Sequence, residues 1–285
     1  MAEEYKFIQE DINTGKGTAG SLLIPTKIYD TLIPAVLKKL IPRECAAINV
    51  GAAGIPGSSL SFNLMTPDSM TVRIVGEGAE IWLSDPEYTG TTITPVKYGL
   101  RVNITKEMME DSQFPLLQSA LTMAAQEFAE NENSLVIAAL AGAANTQAGG
   151  AAILISDITR AIQYLHDSDY TPTDFIVGNE VLNDLQNIDT FVEFNKVGNT
   201  DMLLRGFLGT IYGMNVIGPI STNAGMTTTT SFVIDRTQAY ALVEKRPLTV
   251  ESYDMPWVDS KGVAITHRIA VGLLRSSAVC RITTS

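Results

Sequence analysis

The chain has 285 residues, 45% of them hydrophobic, and its 20 Lys and Arg against 31 Asp and Glu leave a net charge of −11 at pH 7. That apolar content is ample for one large core or two smaller ones. The charge excludes a protein that grips nucleic acid through its overall field, which would need a broad basic face.

Residues 1–23 are polar, with Gly15, Gly17 and Gly20 close together and no sustained period, and read as a flexible arm. After Pro25, Ile28, Leu32, Val36, Leu37 and Leu40 take helical spacing, interrupted at Pro34 and stopped at Pro42, which predicts a kinked or broken helix. Leu60, Phe62 and Leu64 then alternate with Ser61 and Asn63. Met70, Val72 and Ile74 alternate again after Thr66, Pro67, Asp68 and Ser69, so a hairpin with little to bury is expected. A stretch from Gly76 to Trp82 leads through Asp85 and Pro86 to Val96, Tyr98, Leu100, Val102 and Ile104. Their strict period of two predicts a long, half-buried strand.

A long helix follows, expected from Ser112, a plausible cap, to about residue 143. Pro115 suits its first turn and Gly142 marks its end. Leu117, Leu121, Ala124, Phe128, Leu135 and Ala139 recur at spacings of three, four and seven, while Gln118, Thr122, Gln126, Glu130 and Asn133 fall largely on another side. Such a rod is about 40 Å long. Glu127, Glu130 and Glu132 make it too charged for a membrane span. By itself it reads equally as a core helix or as a brace for an extended subunit.

Beyond Gly149 and Gly150, Ile158, Ala161, Ile162 and Leu165 mark a short helix, with Ser156 as its expected cap and Asp157 in its first turn. Phe175, Ile176 and Val177 form a strand, and Asn179 can cap a helix carrying Val181, Leu182 and Leu185. With residues 209–216 and strands at Phe232 and Ala239, this makes a mixed α/β unit over about 151–244, in which 221–230 is a loop. The chain returns to extended structure at 248–253 and 265–282.

Chemistry-bearing motifs are scarce. Gly15, Gly17 and Gly20 have dinucleotide-fingerprint spacing but lack the strand before and the helix after that such a site requires. The two histidines, His166 and His267, have no nearby Cys or paired carboxylate to complete a metal set. Glu77 with Glu80, and Glu107 with Glu110 and Asp111, read as solvated carboxylates rather than acid and base pairs. Cys45 and Cys280 fit no metal or redox spacing and imply buried thiols in a reducing compartment. No signal peptide or apolar run of about 18 residues appears, so a cytosolic chain with no membrane partner is expected. No catalytic, cofactor or metal site emerges. A large chain with elements too extended to be stable alone favours assembly with copies of itself.

The order of features is arm, long hairpin loop, Gly76-Glu77-Gly78-Ala79, long strand, Met109-Glu110-Asp111, Leu116-Leu117-Gln118-Ser119 on a long helix, α/β unit and returning strand. It resembles the tailed-phage major capsid protein of the Hong Kong 97-like fold over nearly the whole chain. Support also comes from the stretch Gly209-Thr210-Ile211-Tyr212-Gly213-Met214-Asn215-Val216. The resemblance implies an α+β fold divided into an N-terminal arm (1–25), a first part of a peripheral domain (26–53) and an extended E-loop hairpin (54–90). The peripheral domain then resumes with its spine helix (91–150), followed by an axial α/β domain (151–244) and peripheral return strands (245–285). It implies a shell-forming structural protein that encloses the DNA of a tailed virus, a homo-oligomer of pentamers and hexamers. Portal and decoration proteins are further partners of such shells. The short N-terminus has no room for a fused scaffolding domain, so a separate scaffolding protein, or none, is expected. An encapsulin, a cellular compartment of the same fold enclosing a cargo enzyme, is the alternative.

The family member that welds its subunits uses an E-loop lysine just after the Glu-Gly-Ala motif and a late asparagine. Here Glu80 follows Ala79, no lysine occurs over 54–90 and no asparagine follows Asn223, so the isopeptide weld is expected to be absent. Charge would then matter. Asp68, Glu77, Glu80, Asp85 and Glu87 stand against Arg73 alone, whereas from residue 245 onward Lys245, Arg246, Lys261, Arg268, Arg275 and Arg281 outnumber Glu251, Asp254 and Asp259. Intersubunit contact is therefore expected between the E-loop, Trp82 included, and the basic residues Lys245, Arg246, Lys261, Arg268 and Arg275 of a neighbour. By analogy Thr222, Asn223, Gly225 and Met226 would lie in a loop near a capsomer axis.

Overall fold

The computed structural model describes residue 41 and residues 43–51, 57–66, 69–111, 116–188, 209–220 and 225–284. The expected arm, the broken helix over 25–42, the cap at Ser112, and Asp68, Thr222 and Asn223 lie outside the described residues, Ile41 apart.

Three sheets organise the described residues. The first runs β1 (Ile48–Val50), β10 (Tyr240–Met255), β11 (Ser260–Leu273), β4 (Val96–Thr105). Strands β10 and β11 form one long antiparallel hairpin, and β4 adds along β11 from Ser260 opposite Thr105 to Ile269 opposite Val96. The period of two in β4 turns Tyr98, Leu100, Val102 and Ile104 inward, as expected of a half-buried strand.

The second sheet has six strands in the order β5 (Asn145–Ala148), β12 (Val279–Thr283), β9 (Thr230–Ile234), β6 (Asp174–Gly178), β8 (Met214–Ile220), β7 (Thr210–Ile211). Both of its faces are covered. Phe175, Val177, Val233, Cys280 and Ile282 pack under helices α3 (Ile155–His166) and α4 (Asn179–Asn187), through Ile158, Ala161, Leu165, Val181 and Leu185. The alternate residues Ile176, Phe232, Ile234 and Val279 pack against Val136, Ile137 and Leu140 of the long helix. Continuous apolar runs such as Phe175-Ile176-Val177 are what a strand buried on both sides requires. The cap of α3 differs from expectation. Ser156 lies inside the helix, and the Asp157 carboxylate accepts the Leu154 N–H at 3.0 Å instead.

A short helix α1 (Lys106–Asp111) leads from β4 toward α2 (Leu116–Leu140). The 25 residues of α2 rise about 37 Å. Leu121, Ala124, Ala125, Phe128 and Ala129 pack on Val263 and Ile265 of the four-stranded sheet, and the second half of the helix packs on the six-stranded one. One rod thus serves two cores. Because the two sheets meet different sides of it, the buried stripe includes Glu132 and Asn133, and Asn133 is corrected from the polar to the buried side.

The third sheet is a two-stranded ribbon, β2 (Leu60–Met65) with β3 (Tyr88–Ile93). The expected partner of β2, the alternating stretch Met70, Val72 and Ile74, is not a strand. Residues 71–76 carry no ladder, and the ribbon closes only at Tyr88, opposite Met65. Alternation without a facing partner is an extended segment, and here both of its sides are open.

Candidate intersubunit surfaces

The loop leaves the molecule at the ribbon. Its base is held by apolar contacts, Leu60, Phe62 and Ile93 against Ala241, Val243 and Ala270. Around it, basic side chains donate to backbone carbonyls: Lys245 to Gly57, Arg275 Nη2 to Met65 at 2.9 Å, and Arg268 Nε to Pro95 at 3.1 Å. Three of the five basic residues singled out in the sequence therefore brace the hairpin of their own chain. Arg246 and Lys261 are exposed, Arg246 at an irregular step in the β10–β11 register.

Beyond the base, residues 70–87 bury almost nothing. Val72 is 103% exposed, Ile74 101% and Trp82 66%. Arg73, Glu77, Glu80, Asp85 and Glu87 are exposed with them. The loop turns at Gly76–Ala79, where the Ala79 N–H donates to the Gly76 carbonyl at 3.0 Å and Gly78 takes φ +76°, a region glycine enters without steric cost. The guanidinium of Arg73 stands 5.3 Å from the centre of the Trp82 ring, within cation–π range. Together these side chains make a contiguous exposed apolar stretch of a kind uncommon on monomeric surfaces.

The capsomer-axis residues divide. Gly225 is exposed with φ +78°, but Met226 is only 2% exposed and packs with Val136 and Phe232. Met226 lies in the loop with its side chain turned inward, a thioether seated beside an apolar sheet face.

A buried charge cluster escaped sequence reading altogether. Arg43 grips Glu132 of α2 with two bonds, Nε to Oε1 at 2.9 Å and Nη2 to Oε2 at 3.0 Å, and Glu244 of β10 through Nη1 at 3.1 Å. His267 of β11, 4% exposed, donates through Nε2 to Glu244 at 2.8 Å. Burial alone would raise the Glu244 pKa, but the bonds and charges of His267 and Arg43 outweigh it and hold the carboxyl below its usual 4.5. Glu132 follows Phe128 by one helical turn and precedes Val136 by another, a spacing that placed it on the inward face. A second ion pair joins Arg236 to Asp174 at 2.7 Å, with Asp174 fully buried.

An open depression of about 700 Å³ beside Tyr170, Asp235 and Arg275 holds no reacting set. Its Asp235 is occupied by the Thr171 and Thr237 N–H groups and the Thr237 hydroxyl. Among the described residues, no group of three His, Cys, Asp or Glu could hold a metal ion, and no helix is long and apolar enough to cross a membrane.

The family described as phage capsid protein matches residues 88–282. No curated protein matches the chain in sequence. Among solved structures, the mature capsid of bacteriophage PhiM1 is 12% identical with a TM-score of 0.65, over 84% of this chain and 84% of that one. The capsid of the native GTA particle is 13% identical with a TM-score of 0.66, over 85% and 89%. Mycobacterium phage Che8 is 14% identical with a TM-score of 0.64, over 84% and 90%. At these identities the likeness is one of fold.

Proposed function

The chain belongs to the phage capsid protein family, and from that premise we propose that its copies hold a shell together by burial and charge, each acidic E-loop lying over the basic return strands of a neighbour, with no covalent weld. It is a major capsid protein of the Hong Kong 97-like fold: its copies form the head shell of a phage, and its place is the virion capsid. The family match does not favour the encapsulin alternative.

The observation that supports the contact is the loop itself, whose apolar and acidic side chains over 70–87 stand in solvent with no core of their own. On the receiving side Arg246 and Lys261 are the exposed cations, with Lys245, Arg268 and Arg275 adding to the field from the hairpin base. Long-range attraction of this kind steers association and sets register more than it adds affinity. In the proposed arrangement the E-loop spans 54–90, the peripheral domain carries α2 and the β10–β11 hairpin, and the axial domain (151–244) carries most of the six-stranded sheet, which β5 and β12 join from the stretches assigned to the peripheral domain. Copies gather as pentamers and hexamers in the host cytoplasm, with a separate scaffolding protein or none, and with portal and decoration proteins as partners. They enclose the DNA of a tailed virus without a strong basic patch, and the subunit performs no catalysis.

Electron microscopy of the purified protein tests the assembly directly, with closed shells expected. Glu77→Lys combined with Glu80→Lys is expected to lower shell yield and to flatten its dependence on salt. Unchanged yield and salt dependence would overturn the charge contact while leaving the shell itself intact.

A further inference from the structure

The long helix and strand β4 leave a small groove between them, lined by Tyr98, Gly99, Leu100, Glu127, Phe128 and Asn131 and about 160 Å³ in volume. An apolar cavity of about 150 Å³ accommodates a benzene ring, so this groove suits one aromatic side chain and is too small for a helix. Among the described strands β4 is the edge of its sheet, and no described strand adds beyond it. Phe128 and Leu100 make its floor apolar, and the exposed Glu127 places a carboxylate at its rim.

The E-loop carries the matching shape and charge. Trp82 is two-thirds exposed, with Arg73 over its ring. Arg73 is the only Lys or Arg over residues 54–90, so an otherwise acidic loop bears its one cation beside its one tryptophan. Within one chain the two halves do not meet, since no loop residue is among the described residues lining the groove.

Resting on the capsid reading, we propose that Trp82 of one copy seats in the groove between β4 and α2 of a second copy, with Arg73 facing that copy's Glu127. The ring supplies apolar burial and the ion pair supplies register. This contact is distinct from the acidic-on-basic one, because here the loop is the cationic partner.

The test is a pair of engineered cysteines, Arg73→Cys with Glu127→Cys, which leave Trp82 in place. The native thiols are buried and stay silent. Oxidised shells of the double variant are expected to run as a ladder of linked subunits on a non-reducing denaturing gel, with each single variant running as monomer. Shells that yield only monomer from the double variant overturn the assignment. Charge reversal checks it independently of the cysteines. Arg73→Glu and Glu127→Arg should each lower shell yield about tenfold, the size of effect close interfacial charge pairs exert, and their combination should restore it. A combination no better than the single variants overturns the pairing. If the unmodified chain forms no shells, alone or with a co-expressed scaffolding protein, the capsid reading itself falls; if it does and neither signal appears, only the groove assignment falls.

Discussion

Glu132 sits on the apolar side of α2, 3% exposed, and is tolerated there because Arg43 reaches it with two hydrogen bonds. Removing one member of such a pair leaves a buried charge uncompensated, at a cost of about 3 kcal/mol or more. Arg43→Gln, which strands the buried Glu132 carboxylate, is therefore expected to lower the unfolding free energy of the unassembled subunit, measured in urea, by about that amount, and a loss below about 0.5 kcal/mol would show that the pair is not a structural tie. Glu244 adds a pH dependence. Its folded pKa lies below its unfolded value of 4.5, so its contribution is fully present above that pH and is lost as pH falls through the folded pKa. Acid titration of stability should be shallower in Glu244→Gln than in the parent below about pH 4.5, and identical curves would refute the assignment. The thiols follow from burial alone: desolvation pushes Cys45 and Cys280 up to about 11, so both are protonated at neutral pH. The native protein should leave a thiol reagent unreacted and the unfolded chain should consume two equivalents.

At the scale of elements, α2 is legible because its period of three and four is a local property. Its length, its Leu121, Ala124 and Phe128 stripe and its charged outer side are all present in the linear sequence. Glu132 shares the inward spacing, but that Asn133 turns inward with it was not legible, since that depends on two sheets approaching the helix from different sides. Asn133 accepts the Ile41 N–H at 2.9 Å, a bond between residues far apart in the chain. Phe128→Ala should cost about 3–5 kcal/mol by opening a cavity under the four-stranded sheet, measurable as a lower thermal midpoint of the subunit. The ribbon teaches the converse. Met70, Val72 and Ile74 have the alternation of a strand, yet β2 chose Tyr88–Ile93, where Ser61 and Thr92 pair their hydroxyls at 2.9 Å and Phe62 can reach the β10–β11 core. Alternation reports a strand-like segment, and the partner is decided by what lies behind it.

For the whole molecule, the last strand closes the architecture. Strand β12 lies between β5 and β9, so the six-stranded sheet is incomplete until the C-terminus arrives, and Cys280 and Ile282 are fully buried there. A chain truncated before Val279 is expected to be insoluble and unable to assemble. The assembled shell should show no covalent ladder of subunits on a reducing denaturing gel, because the E-loop has no lysine over 54–90 and no asparagine follows Asn223. A ladder there would reveal a weld of different chemistry.

The sequence by itself determined the spine helix, the long alternating strand, the acidic loop and the missing weld residues, because periodicity, charge and residue type are written locally. Only the tertiary structure decided that one rod serves two cores, that Arg43 binds Glu132 and Glu244, that β2 pairs beyond the loop, and that basic side chains brace their own hairpin. Each of these joins residues distant along the chain, and the free energy of burying a charge or pairing a strand depends on the neighbours that folding brings to it.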